Sequence, residues 1–221
     1  MAETGQAVNP KKIFVVDDHP MMREGLRSII NLEPDLTVCD EADNARKAMT
    51  QIEKTGPDLA LVDITLPDKS GLELIKELKA RCPALPILAI SMHDESLYAE
   101  RILRAGAKGY INKHQPPAEL LKAIRQVLAG HLYMSQEISE TFLKRFSRGA
   151  SSSRSPLEIL TDREFEIFQL LGKGHSAKEI AQQLRLSDKT VAVHNANIRQ
   201  KLKIKTTSQL IRLAVEADAL G

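Results

Sequence analysis

The chain has 221 residues, 43% hydrophobic and 27% charged, which suits a non-membrane protein with more than one buried core. The absence of Trp and an aromatic content of 4% argue against surfaces that stack sugars or single-stranded bases, and no apolar run is long enough to span a membrane. The net charge of +2 is unevenly spread: residues 1–133 hold 17 Lys and Arg against 19 Asp and Glu, whereas residues 157–221 hold 10 against 8, which suits a polyanion partner for the tail alone.

The opening "MAETGQAVNPKK" has no apolar signal core, so a cytoplasmic protein with no membrane partner is expected. Cys39 and Cys82 lie far apart and outside any Cys/His cluster, and are expected as reduced, partly buried thiols. From Lys11 to about Gly130, short apolar runs alternate with amphipathic stretches. The strand candidates are Ile13–Val16, Leu36–Cys39, Leu59–Val62, Ile87–Ile90 and Gly109–Ile111. Between and after them come "MMREGLRSII", "NARKAMTQIEK", "GLELIKELKAR", "SLYAERILRAG" and "PAELLKAIRQVLAG" as helices. This alternation predicts a doubly wound, five-stranded parallel sheet covered on both faces, an α/β domain over residues 10–132.

"MSQEISETFLKRFS" predicts one more amphipathic helix and "RGASSSRSP" a flexible linker, together filling residues 133–156. Residues 157–221 show no strand candidate and predict a small all-α domain, with helices near Asp162–Leu171, Ala177–Leu184, Asp188–Lys203 and Thr207–Ala217. Thr161 with Glu164 forms a capping box, and Ser187 is the N-cap of the third helix. Two short helices before a longer one suggest a helix-turn-helix.

In a doubly wound sheet, ligands bind at the carboxyl ends of the strands. Asp17, Asp18, Asp63, Ser91 and Lys113 are all expected there, from four different strands. Adjacent acids at the mouth of a hydrophobic strand repel one another until a cation fills the gap. Three carboxylates suit Mg²⁺, which leaves positions for water and phosphate oxygens. His19 and His93 read as polar loop residues, since Mg²⁺ prefers oxygen. A carboxylate nucleophile flanked by a metal, the Lys113 ammonium and the Ser91 hydroxyl is a device for accepting a phosphoryl group.

The segments "VVDDHPMMREGL", "LVDITLPDKSGLELI", "LAISMHDE" and "GAKGYINKH" resemble the response-regulator receiver domain of the NarL/FixJ type over nearly all of residues 11–130. The resemblance implies Asp17 and Asp18 as metal-binding acids, Asp63 as phosphoacceptor and the backbone carbonyl of Thr65 as a further metal ligand. It also implies Ser91 and Lys113 as the pair that senses the phosphoryl group and Tyr110 as an aromatic switch. A partner histidine kinase, and a homodimer formed on phosphorylation, come with it. An aspartyl phosphohydrolase needs an acid two residues beyond its nucleophile, and this chain has Thr65 there. A regulator of the same fold that works without phosphorylation also stays open.

The tail pieces "LTDRE", "KEIAQQL", "LSDKTV" and "NIRQKL" resemble the LuxR-type helix-turn-helix over about residues 157–217, which implies double-stranded DNA as a partner and a transcription regulator rather than an enzyme. On a wheel of the third helix, Val191, Asn195, Ile198 and Leu202 face its neighbours. Lys189, Val193, Ala196 and Gln200, flanked by Ala192, Arg199 and Lys203, face the groove. Lys178, Arg199, Lys201 and Lys203 are expected on phosphates, and His194 is expected to pack within the domain. Family members often carry Lys where this chain has Ala192 and Ala196, so direct reading of guanine at those points is not available.

Overall fold

The computed structural model of the chain describes residues 9–92, 95–136, 138–140 and 156–218. They fall into two compact units, one built mainly of residues up to Ser135 and one mainly of residues from Gln136 onward. The first unit runs β1 (Lys11–Val16), α1 (Pro20–Asn31), β2 (Leu36–Ala42), α2 (Ala45–Thr55), β3 (Leu59–Asp63), α3 (Gly71–Arg81), β4 (Ile87–Ser91), α4 (Glu95–Ala105), β5 (Gly109–Asn112) and α5 (Pro117–Leu128). The strands form one parallel sheet in the order β2-β1-β3-β4-β5.

β3 and β4 are buried along their whole length, which is why they read as continuous apolar runs rather than alternating ones. Ile13, Val15, Leu59, Leu61, Leu88 and Ile90 pack with Leu26 and Ile30 of α1 and with Leu120, Ile124 and Val127 of α5. Phe14 and Val16 point to the opposite face by strand alternation, where α2 contacts β1, α3 contacts β3 and α4 contacts β5. Each such fully buried aliphatic side chain contributes about 1.5–3 kcal/mol, so both layers fix the sheet whose strand ends carry the polar groups.

Four strands run past their expected ends into polar residues: β2 through Asp40 and Glu41 to Ala42, β3 into Asp63, β4 into Ser91 and β5 into Asn112. The order of the sheet reverses between β1 and β3, so Asp17 and Asp63 flank the point where two connections part. Residues 136 and 138–140 are helical; the rest of the helix expected over "MSQEISETFLKRFS", the linker up to residue 155, and His93 lie outside the described residues. Cys39 and Cys82 are free and half-buried.

A 3-10 turn (Pro156–Ile159) leads into the second unit: α6 (Asp162–Gly172), α7 (Ala177–Gln183), α8 (Asp188–Lys201) and α9 (Thr207–Asp218). Phe165, Ile167, Phe168, Ile180, Leu184, Val191, Ile198 and Leu210 are buried in it. α6 carries the expected Thr161–Glu164 capping box, and α8 the expected Ser187 cap. A second box, Ser176 with Glu179, opens α7. α8 stops at Lys201, two residues short of the expected Lys203. Lys203 takes a left-handed conformation (φ 57°), its N–H reaches Gln200 O and that of Ile204 reaches Arg199 O. That pair of hydrogen bonds ends the helix in a Schellman turn. α6 ends the same way on Gly174, whereas α7 uses Arg185 (φ 52°). A left-handed conformation costs a side-chain-bearing residue more than it costs glycine, so neither end is announced by its residue type.

Glu164 ties the tail together. One of its oxygens, Oε2, accepts the N–H of Thr161 at 2.8 Å and the Lys201 ammonium at 2.6 Å, linking the start of α6 to the end of α8. Burial pushes this carboxyl up, but Lys201 and the Thr161 bonds outweigh burial and hold it below its ordinary 4.5. A depressed carboxyl stabilises the fold above its unfolded value, and that stabilisation is lost as pH falls through the folded one. Glu164→Ala is therefore expected to lower tail stability by about 1–2 kcal/mol at neutral pH and by progressively less below pH 4.5, measured by urea unfolding across that range. An equal loss at every pH would remove the Lys201 pair from the explanation.

Candidate functional site

Asp17 and Asp18 follow the last residue of β1, and each is fixed by its neighbours. The Asp17 carbonyl accepts the Arg23 guanidinium at 2.7 Å, and its Oδ1 accepts the His19 N–H at 2.8 Å. Pro20 opens α1 immediately afterwards, turning the chain away from the strand end. Asp63 is the last residue of β3 and only 2% exposed. Its Oδ1 accepts the Thr65 N–H at 3.1 Å and its Oδ2 lies 2.6 Å from Lys113 Nζ, which is also 2.6 Å from Asp17 Oδ2. Lys113 is held in turn by the bond from its N–H to Ser91 O at 2.8 Å. Ser91 and Tyr110 are buried, Ser91 at the end of β4 and Tyr110 within β5.

The sheet thus brings Asp17, Asp18, Asp63 and Lys113 to one pocket at its carboxyl edge. Burial and the repulsion of Asp17 push Asp63 up to about 7, with Lys113 acting against them. Burial also works against charge on Lys113, but Asp63 and Asp17 outweigh it and raise the ammonium above its ordinary value. One ammonium faces three carboxyls, and an added cation would restore the balance. Ligand atoms of Asp17, Asp18, His19 and Asp63 all lie within 4.8 Å of one another, close enough to share one ion. Three carboxylates are a hard oxygen set that fits Mg²⁺.

His19 is an exposed residue between β1 and α1, as its reading as a polar loop residue has it, and its ring also meets the acids. Nδ1 lies 2.7 Å from Asp18 Oδ1 and 3.3 Å from Asp17 Oδ1, so the imidazole sits against the acids. Nothing in its sequence neighbourhood marks this except adjacency to the acid pair.

Gly71, the first residue of α3, closes the floor. A Cβ there would lie 2.0 Å from Asp63 O and 2.7 Å from Ile64 Cα, both backbone atoms, and the Gly71 N–H already binds Ile64 O at 2.7 Å. Only a residue without a side chain lets α3 approach the Asp63 backbone this closely.

In the tail, α8 separates into two sides. Val191 and Ile198 are buried and Asn195 and Leu202 half-buried, whereas Lys189, Ala192, Val193, Ala196 and Gln200 are exposed. Val193 is 53% exposed, as Ile159 of the same unit also is. Lys178 and Lys203 are exposed as well, Lys203 in the turn beyond the helix rather than on its flank. Arg199 is half-buried with its guanidinium 3.5 Å from Lys205 O. Lys201, expected on a phosphate, is occupied by Glu164. His194 is half-buried on α8; burial, countered by Glu164, lowers its basicity, so it stands as a packing residue.

Among the described residues, no helix is long and apolar enough to cross a membrane. Residues 13–125 match the response regulator receiver domain, and residues 158–214 match the bacterial regulatory proteins of the luxR family. The chain is 35% identical over 214 residues to the oxygen regulatory protein NreC of Staphylococcus carnosus, covering 95% of this chain and 99% of that one. It is 37% identical over 208 residues to the transcriptional activator protein ExaE of Pseudomonas putida, covering 94% and 97%. The fold is shared with RcsB of Salmonella enterica serovar Typhimurium bound to a promoter with a phosphomimetic, at a TM-score of 0.60, 24% identity, and coverage of 92% and 98%.

Proposed function

We propose that this chain, which belongs to the two-component response regulators through its receiver domain and its LuxR-family DNA-binding tail, is switched by phosphorylation of Asp63. The supporting observation is the pocket itself: a buried carboxylate 2.6 Å from the Lys113 ammonium, beside two further acids from β1. Asp63 attacks the phosphorus of a phosphohistidine on a partner histidine kinase. The new P–O bond forms as the P–N bond breaks, and the imidazole leaves with a proton from solvent. A Mg²⁺ held by Asp17, Asp18, Asp63 and the Thr65 carbonyl would supply charge to the phosphoryl oxygens. Lys113 supplies the second cation, and Ser91 a hydroxyl for one oxygen.

Thr65 offers no acid to protonate a leaving group or activate water, so the acyl phosphate turns over slowly and the protein acts as a switch rather than a hydrolase. Phosphorylation shifts Ser91 and Tyr110 and favours a homodimer. It biases an existing equilibrium, so a fraction of dimer without phosphate is part of the account. The protein works in the cytoplasm.

DNA is read by α8. With Ala192, Val193 and Ala196 on its exposed side, base contacts are largely apolar, against thymine methyls, and Lys189 and Gln200 are the long polar contacts. Affinity leans on phosphate contacts from Lys178, Arg199 and Lys203, so a dimer with about six such contacts loses on the order of 10³-fold between 50 and 200 mM salt. Two variants separate positioning from reading, measured by fluorescence anisotropy across salt and sequence. Lys203→Gly removes a charge where φ suits glycine; it should weaken all sequences alike and flatten the salt slope by about one unit per protomer. Gln200→Ala should cost about 1–3 kcal/mol at one base position. If Ala192→Lys alters neither affinity nor preference, α8 does not lie in the groove.

A further inference from the structure

Each polar atom of Asp17 has a partner. Its N–H reaches Ala42 O at 3.1 Å, its Oδ1 accepts the His19 N–H at 2.8 Å, and its Oδ2 lies 2.6 Å from Lys113 Nζ. Its carbonyl accepts the Arg23 guanidinium at 2.7 Å. That last bond acts on the peptide joining Asp17 to Asp18, so it bears on both acids at once. Arg23 also holds the far side of Asp18: it lies near the start of α1, and its own N–H reaches His19 O at 3.1 Å. The side chain and backbone of one arginine thus bracket Asp18. The guanidinium meets Glu41 as well, Nε to Oε1 at 3.5 Å, and Glu41 stands opposite Val15, two residues before Asp17. The Arg23 side chain is only 15% exposed, so water competes little for these bonds.

We propose, building on the metal-dependent Asp63 reading above, that Arg23 is a positioning residue: it sets the Asp17–Asp18 backbone so that both carboxylates face one ion, and Glu41 steers it. Asp18 lies past the register of β1 with both of its neighbouring strands, so the sheet ladder does not orient its peptide. Two adjacent like charges repel, and gathering them with Asp63 around a cation costs ordering free energy. A backbone fixed beforehand lowers that cost, which is how residues behind metal ligands raise affinity. The task suits arginine in particular. Its planar fork presents donors to Asp17 O and Glu41 Oε1 together, whereas a lysine ammonium on a flexible stem is a single point charge. Charge alone would act the other way, because a guanidinium repels a divalent cation, and Glu41 beside it offsets that repulsion. Arg23 touches no reacting atom and acts through Asp17 and Asp18.

The test is the affinity of the full chain for Mn²⁺, whose EPR signal separates free from bound ion, counting only Mn²⁺ that Mg²⁺ displaces. Arg23→Gln and Arg23→Lys are both expected to weaken binding about tenfold or more, and Glu41→Gln to weaken it less than either. At saturating Mg²⁺, phosphoryl uptake by the Arg23 variants should return to the wild-type rate, because the bound ion then holds the acids in place. Arg125→Gln is the control for stability. Arg125 pairs with Glu33 and Asp35, and Asp35 O accepts the Lys11 N–H at the opposite end of β1. Its loss should lower stability to urea and leave Mn²⁺ affinity unchanged. If Arg23→Gln does not fold, Arg23→Lys, which keeps the charge and the stem, decides. Wild-type affinity in the folded Arg23 variants would overturn the positioning role. So would tighter binding in Arg23→Gln beside wild-type affinity in Arg23→Lys, since Arg23 would then act by charge alone. A wild-type chain that binds no Mn²⁺ would overturn the metal-dependent reading itself, and Arg23's part with it.

Discussion

Asp63→Asn is expected to take up no phosphoryl group and to bind DNA with one affinity whether or not a phosphodonor is present. The amide keeps the shape of the side chain but is no nucleophile, and it removes one of the three carboxylates that would share a metal. The fold should survive, because Lys113 retains Asp17 Oδ2 at 2.6 Å and is not left as a buried charge without a partner. The wild type should gain about 10²-fold in affinity for a paired site on phosphorylation, the scale expected when two weakly binding tails are joined. Intact mass, light scattering and anisotropy on the same samples read the three consequences together. A variant that still dimerises and tightens on DNA with the donor would move the switch away from Asp63.

Gly71→Ala should be the most damaging small substitution in the first unit. The added methyl would sit 2.0 Å from a backbone oxygen, which no rotamer change can relieve. Either α3 backs away or the Asp63 backbone moves; we expect a loss of about 3 kcal/mol or more and slower phosphorylation of the molecules that remain folded. Gly25→Ala is the matched control. It lies inside α1, its Cβ would meet nothing within 4 Å, and the change should stabilise the helix by about 0.5–1 kcal/mol without touching phosphorylation. Urea unfolding and the rate of phosphoryl uptake measure both. If Gly71→Ala matches the wild type in stability and rate, close approach of α3 is not what positions Asp63.

The sheet was legible because parallel strands buried on both faces leave continuous apolar runs, and Leu59–Val62 and Ile87–Ile90 are such runs. The strand ends were less so. Asp63, Ser91 and Asn112 belong to the ladders yet carry the polarity of loops, and β2 continues through Cys39, Asp40 and Glu41 to Ala42 for the same reason. The pocket could be read from residue types converging at strand ends. Its closure could not: the approach of Gly71 to Asp63 O and the seat of His19 against Asp18 are contacts with no local periodicity.

In the tail, the end of α8 was overrun because Lys203 is a good helix former placed in a left-handed turn, where glycine would have announced the stop. Lys201 was expected on a phosphate, and its partner Glu164 lies 37 positions away within a capping box already accounted for locally. Tyr133 followed the same rule. Its partners include Lys108, Tyr110 and Glu119, and the trace in sequence is a glycine directly before the buried Tyr110.

The central claim is that Asp63 is the phosphoacceptor of a metal-dependent switch, and one measurement addresses it most directly. The full chain is incubated with a small phosphodonor, in Mg²⁺ and in excess chelator, and intact mass is followed by peptide mapping. The account predicts a single added phosphoryl group in Mg²⁺, mapped to Asp63, and none in chelator. An unmodified chain in Mg²⁺, equal labelling in chelator, or a phosphoryl group on any residue but Asp63 would contradict it.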